Sequence, residues 1–270
     1  MEQEFYGNTN LHFKEHFAEC KSYFKDSEIV MLTLTGSQNY GLDTPESDMD
    51  TKLTVLPHKE DIITNKPAIS TTHIRANNEH IDFKDVRLML PTLLKQNVNY
   101  LEQLFATKYL INGAYEKEIE ALKDIREDIA RFCPTKCIMT MYGIAMSKKN
   151  RIFRELPEKE ENIYNFGYNP KEAMQLFRIE EFMQKYVSDK PFEECLHSDQ
   201  RKYLLDIKSG TVFDSKTMVD MVNTALAHVD EMKNNFLNTH EASYSPTVQI
   251  LVYSIQERIM EKYLRNIFAS

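Results

Sequence analysis

At 270 residues with a formal charge of −8, the chain is longer than a typical domain of roughly 100 to 200 residues, and two packed parts are expected. Hydrophobic residues at 42% and charged residues at 27% exclude a disordered tail, a collagen-like fibre and a coiled-coil rod. The acidic balance argues against a broad electrostatic footprint on nucleic acid and leaves room only for a local basic site.

Gly is scarce at 7 residues beside 13 Met, 14 Tyr and 15 Phe, which favours helices over strands and tight turns. No run approaches the ~20 apolar residues of a bilayer span, and MEQEFYGNTN has neither a basic region nor an apolar one. A cytoplasmic protein without a membrane partner is expected. Cys20, Cys133, Cys137 and Cys195 read as reduced, packed thiols, because no second CxxC or His pair completes four metal ligands with CPTKC.

In chain order, LHFKEHFAECKSYFKDS spaces Phe13, Phe17, Cys20 and Phe24 as an amphipathic helix. EIVMLTLT, closed by Gly36, reads as a buried strand. DTKLTVLP alternates Leu53 and Val55 with polar neighbours and reads as a second strand ending at Pro57. AISTTHIRA and EHIDF read as two short strands separated by the turn pair Asn77 and Asn78. From Lys84 onward the period is helical throughout, with Pro91 expected to kink or break the first helix. Asn169 and Ser245, each followed by proline, read as helix caps. Met218, Val222, Ala225, Val229, Met232 and Phe236 form one core stripe, and PEKEENIYNFGYNP reads as a loop between helices. His12 and His16 share an i, i+4 spacing without the HExxH order and read as surface residues.

The informative stretch is LTLTGSQNYGLDTPESDMDTKLTVLP. A strand delivers Gly36 and Ser37, and after a loop Asp48 and Asp50 stand two apart where the next strand begins. Residues two apart on a strand share a face, so two carboxylates converge. Two carboxylates with phosphate oxygens and waters suit Mg²⁺. Gly36 lets backbone approach a ligand, and the Ser37 hydroxyl with neighbouring amides suits phosphate oxygens. Together these features suit a metal-bound triphosphate.

The order strand, GS, loop, DxD, strand resembles the nucleotidyltransferase superfamily that DNA polymerase beta exemplifies. GSQNYGLDTPESDMD is similar to the GSxxYGLxTPxSDxD form of a branch that includes an RNA-repair-pathway group. The resemblance implies that Gly36 and Ser37 hold nucleotide phosphates, that Asp48 and Asp50 ligate Mg²⁺ or Mn²⁺, and that a later strand supplies a third carboxylate. Asp82 is favoured for that role, flanked by Ile81 and Phe83 in a strand context. There it would help hold metal and take the proton of an attacking hydroxyl. Asp85 reads as the cap of the following helix.

KQNVNYLEQLF and YNPKEAMQLFRIEEF also resemble segments of the branch, the second carrying Lys171 and Arg178, with Gln175 where a histidine is expected. Spacing places these three residues on one helix side, beside an apolar stripe of Leu176, Ile179, Met183 and Tyr186. By spacing alone Lys171 and Arg178 read as a solvated face; the resemblance implies contact with triphosphate. SKKNRIFR carries Lys148, Lys149, Arg151 and Arg154, which suit a triphosphate, an RNA strand or a solvated helix end alike.

The expectation is an α+β protein. Residues 1–95 form a minimal nucleotidyltransferase mixed sheet with helices, and residues 96–270 form an all-helical part closing the active-site cleft. The expected reaction, of the EC 2.7.7 class, moves a nucleoside monophosphate from an NTP, such as ATP, to an acceptor hydroxyl on an RNA end, a protein or a small molecule. Pyrophosphate leaves. The alternative is a catalytically silent nucleotide-binding or antitoxin-type module on the same fold.

Overall fold

The computed structural model describes residues 4–25, 27–45, 47–154 and 164–269. The chain divides into two compact units: Met1–Asn39 with Asp43–Phe132 and Ser245–Ser270, and Tyr40–Leu42 with Cys133–Tyr244. The part of the expected loop at 157–163 lies outside the described residues, and Tyr164–Phe166 is a helical turn. Among the described residues no helix is long and apolar enough to cross a membrane.

The first unit is built on six strands: β1 (Phe5–Tyr6), β2 (Ile29–Thr35), β3 (Asp50–Val55), β4 (Ser70–Ile74), β5 (His80–Asp85) and β6 (Tyr109–Asn112). Their order is β1-β6-β2-β3-β5-β4; β3 and β5 run parallel and the other pairs antiparallel, so the sheet is mixed. The Asn78 turn between β4 and β5 takes the left-handed conformation that Asn tolerates (φ +65°). α1 (Leu11–Tyr23), capped by Asn10, whose side-chain oxygen accepts from Phe13 N at 2.9 Å, covers one face. There Phe13 and Cys20 join Leu32, Leu34, Met49, Leu53, Val55, Ile81 and Phe83 in one core, and Phe24 stacks on Phe83. Burial raises the Cys20 thiol to about 12, so it packs as a small apolar group.

β3 is a strand as expected, but its polar positions are buried along with its apolar ones. Thr51, Lys52, Leu53, Thr54 and Val55 are all buried, because the second face is covered too. α3 (Val86–Leu93) and the 3-10 turn Glu102–Phe105 lie over it. β6 is a strand inside the stretch expected to be helical; it pairs with both β1 and β2, so the sheet extends beyond residue 95. α3 does not break at Pro91 but runs on to Leu93.

Short helices α2 (Lys59–Ile63), α4 (Val98–Leu101), α5 (Glu116–Asp124) and α6 (Arg126–Ala130) complete this part of the chain. The second unit contains α7 (Pro134–Ile152), α8 (Pro170–Val187), α9 (Phe192–Leu196), α10 (Arg201–Ser209) and α11 (Ser215–Thr239). The last helix, α12 (Pro246–Ala269), returns to the first unit and packs on α3 and α5. Its Tyr263 hydroxyl donates to the Pro57 carbonyl at 2.5 Å.

α8 is the centre of the second unit, packed by α7, α9, α10 and α11. Leu176, Ile179, Met183 and Tyr186 are all fully buried, as the expected stripe requires. The α11 stripe is buried at every position except the half-buried Met232. Asn169 caps α8 by accepting from Glu172 N at 3.2 Å.

Candidate active site

Pairing of Thr35 with Asp50 brings the end of β2 against the start of β3. The turn that follows β2 therefore lies beside the Asp50 carboxylate. Gly36 adopts φ +78°, and a Cβ built on it would sit 3.4 Å from Asp50 Oδ2. Only glycine takes that left-handed conformation without strain. Asn39 N–H donates to the Gly36 carbonyl at 3.0 Å and closes the turn, while the Gln38 amide reaches the Asp48 carbonyl at 3.5 Å.

Asp48 is exposed in the loop before β3, and Asp50 is the first strand residue. Met49 between them is buried in the core on the α1 side, so alternation turns Asp50 to the opposite face. The backbone between the two aspartates is anchored by Met49 N–H donating to Glu79 Oε1 at 3.1 Å. Glu79 itself is buried and bonded to Arg75 and His12. Burial pushes its carboxyl up, but hydrogen bonding with Asn77, the Met49 amide and His12 hold it below the ordinary carboxylate range. Asp50 Oδ1 accepts from His80 N at 3.2 Å and lies 3.3 Å from His80 Nδ1.

Asp82 shares the face of Asp50. Ile81 and Phe83 point into the α1-side core, and the parallel register sets Asp82 beside Lys52, two residues along from Asp50. Thr72 Oγ1 donates to Asp82 Oδ1 at 2.6 Å. Asp85 is different: it is 2% exposed, caps α3 by accepting from Arg87 N at 2.8 Å, and grips the Arg87 guanidinium with both oxygens.

Among the described residues no three His, Cys, Asp or Glu side chains are grouped so as to hold a metal ion on their own. The donor set still fits Mg²⁺, which is usually bound by one or two carboxylates and completed by substrate phosphates and waters. Asp50 supplies a hard oxygen directly against a glycine turn where phosphate can approach.

A buried ion pair escaped the reading of the sequence. Lys52 Nζ meets Glu102 Oε1 at 3.1 Å on the face that carries Asp50 and Asp82. Lys84 Nζ stands 3.8 Å from the Tyr100 ring centroid on the same side. The available signal was a lysine in the middle of a strand, with NYLEQLF delivering Tyr100 and Glu102. His16, expected at the surface, is fully buried on α1; burial first, then Arg75, lowers its pKa to about 4.

Lys171 and Arg178 belong to the second unit. Lys171 is exposed in the first turn of α8, whereas Arg178 turns inward. The Arg178 guanidinium lies 4.0 Å from the Tyr40 ring centroid, and its Nε donates to Gln175 Oε1 at 3.0 Å. Gln175 therefore orients the arginine rather than serving as a base. Arg201 Nε donates to the Gly41 carbonyl at 2.8 Å, so two successive residues of the YGL motif are gripped by arginines of this unit.

Among solved structures, the chain is similar to a nucleotidyltransferase-like protein from Exiguobacterium sibiricum 255-15. Identity is 10%, coverage is 82% of this chain and 73% of that one, and the TM-score is 0.28. No curated protein matches it in sequence. Residues 10–242, which carry the glycine turn, the three aspartates and α8, match the RNA repair pathway DNA polymerase beta family. The chain belongs to that family of nucleotidyltransferases.

Proposed function

We propose that the protein transfers a nucleoside monophosphate from an NTP to an acceptor hydroxyl and releases pyrophosphate, in a reaction that depends on Mg²⁺ or Mn²⁺. The observation that carries this reading is the approach of Asp50 Oδ2 to the left-handed Gly36 turn. It puts a carboxylate oxygen of the kind that ligates Mg²⁺ beside the glycine turn, which supports this reading. Gly36 and Ser37 bind phosphate oxygens through turn amides and the hydroxyl. Asp48, Asp50 and Asp82 would hold the metal together with substrate phosphates and waters, and the metal would supply charge stabilisation to the attacking and leaving oxygens. Asp82 also takes the proton of the acceptor hydroxyl, and Lys171 and Arg178 bind the triphosphate. The catalytic carboxylates all fall within residues 1–95, which we assign as the catalytic core together with Gly36 and Ser37; Lys171 and Arg178 fall within residues 96–270.

An RNA end is the first acceptor to test, since the family is one of an RNA repair pathway. The pure protein is incubated with labelled NTPs, Mg²⁺ and pools of RNA, proteins and small molecules, and pyrophosphate is measured. Wild type releases it, and the Asp48→Asn, Asp50→Asn double variant does not. Transfer by the double variant at the wild-type rate refutes the metal assignment. No release by wild type with any acceptor favours the silent nucleotide-binding module.

A further inference from the structure

SKKNRIFR is a basic segment that the proposed function leaves unused, and its side chains do not behave alike. Lys149, Arg151 and Arg154 are exposed, but Lys148 turns inward from α7, which packs along α8. Its Nζ lies 2.9 Å from Glu172 Oε2, with the two side chains 23% and 6% exposed. Burial first holds the Lys148 ammonium below its ordinary range, and the neighbouring charges of Arg151 and Arg178 add to that against the pull of Glu172. Arg151 and Arg178 are thus two further cations close enough to the Lys148 ammonium to act on it.

The most enclosed of these three cations is Arg178, and it carries a buried donor left over. Arg178 is 5% exposed, and among the described residues its Nη1 has no hydrogen-bond partner. Gln175 takes Nε, and the Tyr40 ring covers the guanidinium plane. Glu181, one turn further along α8, is engaged by Ser198, Asp199 and Lys185. A guanidinium stays charged at any working pH, and an unpaired buried donor costs about 1 to 3 kcal/mol. Excess positive charge with a spare N–H on its innermost member calls for an anion with several oxygens.

We propose that Lys148 and Arg178 form a polyphosphate-binding site within the helical unit, in which Glu172 holds Lys148 until phosphate oxygens take its place. The choice of ligand, the β- and γ-phosphates of an NTP or pyrophosphate, rests on the nucleotidyltransferase reading; the site itself rests on the geometry of α7 and α8. Glu172 thus acts as an internal competitor, and losing its charge strengthens binding instead of weakening it. A structural Lys148–Glu172 ion pair with no ligand role has the opposite consequence.

The test is titration calorimetry of the intact protein with inorganic tripolyphosphate, with no acceptor present. Lys148→Ala and Arg178→Gln each weaken binding by about ten-fold or more. Lys149→Ala, which removes the exposed neighbouring charge, leaves it unchanged. Glu172→Gln tightens binding about three-fold or more, a gain that misfolding cannot produce. Absence of tripolyphosphate binding by wild type, wild-type affinity in Lys148→Ala, or unchanged or weaker binding in Glu172→Gln overturns the proposal. These outcomes separate from the fate of the proposed reaction. The four binding results can hold in a protein that transfers no nucleotide, and transfer can persist in a protein whose affinity ignores Lys148.

Discussion

Asp82 and Asp85 lie three residues apart at the end of one strand, and the structure requires opposite responses to their removal. In Asp85→Ala, α3 loses its cap acceptor to Arg87 N, worth about 0.5 to 2 kcal/mol. The Arg87 guanidinium also loses its two-oxygen partner. Breaking a fully buried pair costs about 3 to 5 kcal/mol, but Arg87 is 26% exposed and recovers some hydration. The expected total is about 2 to 4 kcal/mol, or a melting temperature lower by about 5 to 15 °C for a protein of this size. Asp85→Asn keeps the cap oxygen and loses only the charge pair, so it falls between wild type and Asp85→Ala. In Asp82→Asn the remaining amide oxygen still accepts from Thr72 Oγ1, and stability stays within about 1 kcal/mol of wild type. Its turnover falls about 100- to 10,000-fold with the loss of the proton acceptor, while Asp85→Ala keeps its turnover per folded molecule. Melting curves, NTP affinity and pyrophosphate release are measured together on the three variants. Normal turnover in Asp82→Asn, with a folded but inactive Asp85→Ala, shows that the roles have been assigned to the wrong residues.

Gly36 separates backbone strain from ligand access: Gly36→Ala forces a side chain into φ +78° and costs about 1 to 2 kcal/mol, whereas Gly36→Asn tolerates that conformation better but still occupies the approach. Both lose NTP binding by calorimetry while Asn recovers part of the melting temperature; wild-type affinity in either variant contradicts the phosphate role of the turn. His16 makes stability depend on pH. Its folded pKa of about 4 lies below the unfolded value near 6.5, so its contribution is complete above about pH 6.5. That contribution is lost as pH falls toward 4, by up to about 3 kcal/mol. Urea midpoints from pH 7 to 4 should fall less steeply for His16→Leu than for wild type, and parallel curves disprove the assignment.

Local signals were enough for the elements that carry their own patterns. The spacing of Phe13, Phe17 and Cys20 describes α1, the apolar run before Gly36 describes β2, and Asp85 and Asn169 read as caps because their short carboxylate or amide can accept from the first helical amides. The signature from Gly36 to Asp50 was legible because the turn and the start of β3 lie close in sequence. Tertiary structure decided the rest. β6 is four residues long and is a strand only through its partners on both sides, which no short pattern records. The face of Asp82 depends on a parallel register with β3, set by a pairing about thirty residues distant. The reach of Glu102 to Lys52 and of Glu79 to the Met49 amide depends on segments arriving from elsewhere in the chain. Arg178 and His16 show the reason most directly. Helical spacing tells which residues share a side, but burial depends on what packs there, and Tyr40 over one and the sheet core beside the other exist only in the folded chain.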